Sequence, residues 1–411
     1  MIIMIALGWV VLCLYGLLMT GSLYALRSLG LKVEGLELKV ESLGFRVEGL
    51  GLKVEGLGLK VEGLGLKVES LGLKVESLDN SVSIVIAMRN EAKHVDRLLQ
   101  SILSQDYPRE LVEIILVDDH SDDDTAEKVK RFLSNGVQFI QLEAGEGLGK
   151  KAAINKGILV AKHDNIVLTD ADCVFNKNWL TSLVTCKKKT DAVMVVAPVM
   201  LKENQKALDI FQTLDFISLQ GMTMVGANTG LLNMCNGANL MYSKSAFLQV
   251  NGFKGIDHLA TGDDMLLMEK FNEAFPGRIR YCYDSDAIVE TASPETLKAF
   301  MLQRIRWAGK STVYKSSTIK ATLLLVYLLN FMLCSLLVAS FFKKEFFMPW
   351  LAMTCIKTIL ELPFMYRVAV FFKRGQLLWW FLPMQPLHHA YIVLAGFFGL
   401  IGKVEWKGRR V

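Results

Sequence analysis

The sequence is poor in charge: of its 411 residues 21% are Asp, Glu, Lys or Arg, against 52% hydrophobic. That balance is too apolar for an ordinary soluble enzyme, so part of the chain belongs in lipid. The 46 Lys and Arg exceed the 41 Asp and Glu by only five, a mild basicity that suits a membrane surface and offers nothing for a nucleic-acid groove. Cysteine is sparse too. The seven are scattered and odd in number, which excludes a disulfide framework and a Cys-rich zinc site and fits a reducing cytosolic face.

Residues 1–26 contain no charged residue at all. At 1.5 Å per helical residue they are long enough to cross a hydrocarbon core of about 30 Å. No basic stretch precedes the run, and the first charges, Arg27 and Lys32, follow it. This favours an uncleaved anchor with its N-terminus outside over a secretory signal. The C-terminal region, 318–411, holds three more apolar segments at 321–342, 346–372 and 377–402. In the second, Lys357 and Glu361 are spaced i,i+4 and predict a pair on one helix face. In the third, Pro383 and Pro386 precede His388 and His389, which predicts a bent or interfacial segment. Four full crossings would put the basic tail Lys403 to Arg410 outside, against the positive-inside tendency. The expectation is therefore that the third segment does not cross fully and the tail is cytoplasmic.

Between the anchor and the middle of the chain, 29–78 is a low-complexity array of seven heptads such as LGLKVEG, closed by Leu78. Val and Leu fall at coiled-coil spacing, but the array holds ten glycines, each costing a helix about 1 kcal/mol relative to Ala. It reads as a linker, with an amphipathic stalk as the alternative.

Residues 79–317 are the stretch able to build a globular domain. Strand-like runs at 82–88, 113–119, 137–142 and 165–172 alternate with helix-like runs at 91–105, 124–134 and 150–161. This β-α-β-α-β-α-β pattern predicts an α/β fold with a mostly parallel, doubly wound sheet. Ligands of such sheets bind beyond the C-terminal strand ends, and polar residues collect there: Arg89-Asn90-Glu91, Asp118-Asp119-His120-Ser121 and Asp170-Ala171-Asp172. Asp122 to Asp124 read as helix caps or turn formers. Asp170 and Asp172 differ, because a D-x-D after an apolar strand presents carboxylate oxygens to one hard cation, whose remaining sites water and phosphate can fill.

In order, VSIVIAMRNE (82–91), ILVDDHSDDDT (115–125), GKKAAINKG (149–157), LTDAD (168–172), GDD (262–264) and QRIRW (303–307) resemble the family 2 glycosyltransferases. The likeness is to the membrane-embedded branch of ceramide glucosyltransferase-like enzymes and polysaccharide synthases, and it covers 80–311. It implies a GT-A nucleotide-sugar fold, a UDP-sugar donor, Mg²⁺ or Mn²⁺, and inversion at the anomeric carbon. By the resemblance, Asp119, or its neighbour Asp118, contacts uridine and Glu91 lies beside the nucleotide. Lys150 or Lys151 meets uracil or phosphate, unless both merely solvate a helix start. Asp170 faces the donor's ribose or sugar, and Asp172, with Asp170, holds the metal. Asp264 matches the catalytic base; its neighbour is Asp263 where many relatives carry Glu, which leaves that residue's role open. Gln303, Arg306 and Trp307 close over the diphosphate and acceptor, Arg304 is read as facing lipid headgroups, and Asn236 to Asn239 resemble an acceptor-side loop. A helix over 294–310 is expected to carry QRIRW, and residues 206–226 read as a core or membrane-lying helix.

These readings imply an integral membrane enzyme with a cytoplasmic catalytic domain that glycosylates a lipid-linked or polysaccharide acceptor. The alternatives are a processive polysaccharide synthase, whose channel a homo-oligomer or an export partner would complete, and an inactive sugar-binding scaffold. No nucleic-acid partner is expected.

Overall fold

A computed structural model describes residues 2–28 and 80–401, except 144, 146, 148, 203–205, 231, 233, 258, 260 and 261, together with 405–406 and 409–410. The heptad array, 29–78, lies outside the described residues.

After a first helix, α1 (Ile2–Ser28), come β1 (Val82–Met88), α2 (Val95–Leu103), β2 (Val112–Asp118), α3 (Thr125–Lys130), β3 (Val137–Gln141), α4 (Lys150–Val160) and β4 (Asn165–Leu168). Strand β1 begins with its β-branched run, because Val82, Ile84, Val85 and Ile86 are all buried and a strand covered on both faces has a largely apolar signature. The chain continues through β5 (Val174–Phe175), α5 (Trp179–Thr190), β6 (Met194–Val196), β7 (Val199–Leu201), α6 (Ala207–Thr229), β8 (Leu240–Ser243), α7 (Lys244–Gln249), α8 (Met265–Ala274), β9 (Ile279–Tyr281), β10 (Val289–Thr291) and α9 (Leu297–Gly309). Helix α6 is a core helix: Phe216, Ile217 and Met224 are buried.

The main sheet has the order β3-β2-β1-β4-β8-β6-β9. Strands β3, β2, β1 and β4 are mutually parallel, as the alternating pattern predicts. Strand β8 is inserted antiparallel between β4 and β6. Two registers then decide where the polar residues meet. Met88 pairs with Asp118, so the loops after β1 and β2 leave side by side. Leu168 pairs with Leu240, so the reversed β8 begins where β4 ends and brings Asn236 to Asn239 to the carboxyl edge. The chain changes direction between β1 and β4, the switch point at which such sheets open a crevice. A small second sheet, β5-β10-β7, closes the far side.

Among the described residues, three helical stretches are long and apolar enough to cross a membrane: Met4–Arg27, Ser317–Phe342 and Gly375–Ile401. They correspond to most of α1, to α10 (Ser317–Phe342) and to a stretch that includes α12 (Phe381–Ile401), and α11 (Phe347–Phe371) packs among them. The expected Lys357–Glu361 pair is present at 2.7 Å. It is buried and completed by Tyr15, which donates to Glu361 at 2.5 Å, and by Gln385, which accepts from Lys357 at 2.9 Å. The third segment, expected to be bent or interfacial, forms a continuous helix from Phe381 to Ile401. Pro383 falls in the first turn of α12, where no intrahelical N–H is needed, and the helix runs on through Pro386.

Helix α4 lies so close to the sheet that only glycine fits at 157: a Cβ there would come 2.4 Å from Val85 Cγ1 and 3.2 Å from Val117 Cγ2. Gly157→Ala is expected to destabilise the domain by about 1–3 kcal/mol through overpacking, read as a lowered unfolding temperature of the purified protein.

Candidate active site

The crevice beyond β1, β2 and β4 is lined by carboxylates, and its geometry is set by the cations among them. Asp118, the last residue of β2, is buried and turned inward: Oδ1 accepts from Ser121 Oγ at 2.5 Å and Oδ2 from Gln141 at 3.3 Å. Asp119 continues the strand direction, its N–H donating to the Met88 carbonyl at 2.8 Å. Its side chain accepts from the Gly149 N–H at 3.1 Å. Gly149 adopts φ 94°, a left-handed conformation open to glycine, and this lets its N–H turn back to β2 just before α4 begins. Glu91 is placed at the same edge, its N–H donating to Thr125 Oγ1 at 2.8 Å. Of the Asp122 to Asp124 run, Asp123 performs the expected turn role, accepting from the N–H groups of Ala92 and Thr125 at 3.1 and 3.0 Å.

The two adjacent lysines separate. Lys150 Nζ lies 2.7 Å from Asp170 Oδ1 and 3.0 Å from Asp263 Oδ2, bridging the end of β4 to the loop before α8. Lys151 instead donates to the carbonyls of Ile256 and Leu259 at 2.6 and 2.8 Å, fastening the loop that leads to Asp263. Successive helical residues point about 100° apart, so one lysine serves each side of the crevice.

Asp264 is the N-cap of α8 and is held from three directions. Its Oδ1 accepts from the Met265 N–H at 2.7 Å and faces Lys310 Nζ at 3.3 Å, and its Oδ2 accepts from the Gly237 N–H at 3.3 Å. Gly237 belongs to the loop delivered by β8, and a Cβ on it would stand 3.2 Å from Lys150 Nζ and 3.3 Å from Asp263 Oδ2. Asn239 from the same loop is structural: it is buried, accepts from Trp179 at 3.0 Å and donates to the Pro198 carbonyl at 2.8 Å.

Helix α9 supplies the remaining cations. Burial presses the pKa of the Arg306 guanidinium downward, against the opposing pull of Asp263, Asp264 and Asp170. Lys310 stands four residues further on, just past α9, and had no place in the sequence reading. Its signal was there in the spacing, since 303, 306 and 310 fall on one helical face. Gln303 accepts from the Arg304 guanidinium at 2.7 Å. Arg304 does not face headgroups: it is 4% exposed and paired with Asp215. Trp307 packs against Phe216 and lies under Arg304.

The charges set one another's protonation. Burial opposes ionisation of Asp263, but Lys150 and Lys310 overcome it and hold the carboxyl down at about 2. Burial likewise opposes charge on Lys150, yet Asp170 and Asp263 push its pKa well up. Burial pushes the Asp170 carboxyl upward; Lys150 opposes this and the neighbouring Asp172 carboxylate adds to it. Asp172 itself accepts from Thr291 at 2.9 Å. Among the described residues no three His, Cys, Asp or Glu side chains gather as a ready-made metal cage. Two neighbouring carboxylates, one pushed up in part by the other, nonetheless fit a hard cation that takes its other oxygens from water and a phosphate ligand.

Asp263 has a lowered folded-state pKa, so it contributes stability above the unfolded value of about 4. That contribution is lost as pH falls from about 4 through about 2. Lys150→Met raises the Asp263 carboxyl and raises Asp170 further, and both changes flatten the acid loss. The unfolding temperature of the variant should therefore fall less than that of the wild type between pH 5 and pH 2.5.

Residues 83–250 match the family model described as glycosyl transferase family 2. The poly-beta-1,6-N-acetyl-D-glucosamine synthase of Staphylococcus epidermidis is 30% identical over 257 residues, which are 61% of this chain and 60% of that protein. The protein of the same description from Staphylococcus aureus strain COL is 27% identical over 260 residues, with the same coverage. The chain thus spans about 60% of the length of these relatives. A solved structure of the mannosyltransferase PcManGT from Pyrobaculum calidifontis, in complex with GDP-Man and Mn²⁺, aligns with 78% of this chain and 86% of its own, at 17% identity and a TM-score of 0.47. The crevice between β1 and β4, with the loops of β2, β4 and β8 around it, is therefore the centre of a domain that matches the glycosyl transferase family 2 model, flanked by helices long and apolar enough to span a membrane.

Proposed function

We propose that the chain is a membrane-bound, inverting glycosyltransferase that moves a sugar from a UDP-sugar to a lipid-linked or glycan acceptor at the cytosolic face. The observation that carries the reading is Asp264: a carboxylate fixed by two backbone N–H groups and Lys310, within reach of the charge of Arg306, in a family 2 domain.

In the proposed reaction an acceptor hydroxyl attacks the anomeric carbon from the face opposite the nucleotide. The hydroxyl proton passes to an Asp264 carboxylate oxygen as the new C–O bond forms. The bond from the anomeric carbon to the diphosphate oxygen breaks, its electron pair leaves with UDP, and the configuration inverts. Asp264 is held in one orientation, which suits a general base. Arg306 and Lys310 place positive charge where the diphosphate gathers negative charge, and a guanidinium grips phosphate oxygens bidentately. Asp119 and Glu91 line the nucleotide end, and Lys150 holds Asp170 and Asp263 at the spacing the sugar requires. Asp170 and Asp172 would hold Mg²⁺ or Mn²⁺, which supplies charge neutralisation for the diphosphate.

A polymeric glycan is the favoured acceptor over a lipid, on one ground: the named relatives are polysaccharide synthases by description. Incubating the purified protein with a panel of UDP-sugars tests both points. Donor-dependent UDP release is expected, with a product that lengthens over time; a single glycolipid instead returns the acceptor to lipid. Asp264→Asn should lower turnover by about 10²–10⁴-fold with donor binding retained, and unchanged turnover removes the base. Activity that survives exhaustive EDTA treatment removes the metal from Asp170 and Asp172.

A further inference from the structure

Helix α9 presents two stripes. Lys310, just beyond the helix, reaches Asp264 in the crevice, and Gln303 and Arg306 precede it on the same helical face. Phe300, Arg304 and Trp307, spaced i, i+4 and i+7, form the other stripe, with Trp307 at the border between them. The second stripe holds an ion pair that the proposed reaction does not use. Arg304 Nε donates to Asp215 Oδ2 at 2.8 Å, and Nη2 stands 2.7 Å from the same oxygen. The other Asp215 oxygen accepts from the Tyr391 hydroxyl and lies 3.9 Å from His388 Nε2. The remaining edge of the guanidinium, Nη1, donates to Gln303 Oε1 at 2.7 Å. Its faces are covered as well: the guanidinium carbon is 4.7 Å from the Phe300 ring centroid and 4.3 Å from that of Trp307. Rings of Phe211, Phe300 and Tyr391 wrap the pair edge to face. Asp215 belongs to α6 and Tyr391 to α12, so the pair joins a core helix, the helix carrying QRIRW and a C-terminal membrane helix.

A buried ion pair is rarely more stable than a well-packed apolar pair of the same volume, so stability alone does not account for it. What it does supply is direction. The planar guanidinium is held at both edges and both faces, and two of the groups in direct contact with it, Gln303 and Trp307, are ones that the family resemblance assigns to the diphosphate and acceptor. We propose that Asp215, with Tyr391, positions the transfer machinery: it fixes Arg304, and through Arg304 it fixes Gln303 and Trp307 at the crevice. The inference rests on the glycosyltransferase reading. It makes Asp215 and Tyr391 positioning residues and couples the placement of α12 in the membrane to turnover.

The test uses the full-length protein in detergent or nanodiscs with the UDP-sugar that gives turnover. Removing one partner alone leaves a buried charge, so the informative variant is the double one, Asp215→Leu with Arg304→Met, which leaves none. Tyr391→Phe is the milder companion. If the pair positions the site, the folded double variant loses about 10–100-fold in kcat, the scale of a small misplacement of reacting groups. Its KM for the donor stays within about twofold, and Tyr391→Phe shows the same split at about 3–10-fold. If the double variant folds and turns over like the wild type, or if activity falls only in proportion to the folded fraction, the inference is overturned. Should the double variant not fold, Tyr391→Phe decides: a loss of kcat at constant KM supports the inference, and wild-type kinetics overturn it. Wild-type protein that releases no UDP from any donor overturns the glycosyltransferase reading and the inference with it. Active wild type, inactive Asp264→Asn and unaffected double variant overturn the inference alone.

Discussion

Like charge must be held together at low dielectric for this site to exist, and the cations of three segments do that. Asp170, Asp263 and Asp264 converge from the end of β4 and the loop before α8. Without counter-charge, burial and mutual repulsion would protonate some of them or push the loops apart. Lys150 stands between Asp170 and Asp263, Lys310 beside Asp264, and Arg306 within range of all three. Each cation comes from a different region: the first turn of α4, the end of α9 and the segment just beyond it. The domain thus closes around its charges, and the short loops that carry them inherit order they would not have alone. At the Asp170 end Lys150 opposes the upward push that burial and Asp172 exert on the carboxyl, and in the proposed reaction that end takes the cation.

Much of this was legible in the sequence, for identifiable reasons. Strand β1 announced itself because Val82 to Met88 is buried on both sides, and the start of α4 because Gly149 precedes Lys150. The parallel order β3-β2-β1-β4 follows from strands alternating with helices. The carboxylates stood out because each cluster closes an apolar run, and Lys357 with Glu361 because an i,i+4 pair in an apolar helix has nowhere else to turn.

What was not legible depended on contacts distant in sequence. Nothing local says that β8 enters the sheet antiparallel, yet that reversal brings Gly237 to Asp264. Lys150 and Lys151 are equal as letters, and only the phase of α4 against the sheet separates them. Arg304 looked like a headgroup contact because it sits among basic residues before a membrane helix. Its partner Asp215 lies 89 residues earlier, inside a run whose apolar neighbours gave it no prominence. Asp263, whose role the resemblance left open, is held down by two lysines at once.

The membrane part follows the same rule with the solvent exchanged. In lipid a polar side chain finds no water, so it must find a partner or reach an interface. Tyr15 of α1, Lys357 and Glu361 of α11 and Gln385 of α12 satisfy one another in the bundle interior, while Leu17, Phe341 and Ile359 face outward. Because Tyr15 is a member of that network, α1 is fastened to the C-terminal helices through its side chains, whatever path the heptad array takes between residue 28 and residue 80. The Asp215–Arg304–Tyr391 cluster repeats the arrangement where the bundle meets the domain. Helix α12 carries Gln385 in one network and Tyr391 in the other, less than two turns apart. A displacement of α12 along its axis would strain both sets of hydrogen bonds together, and that shared helix is the physical route by which the bundle can govern the crevice.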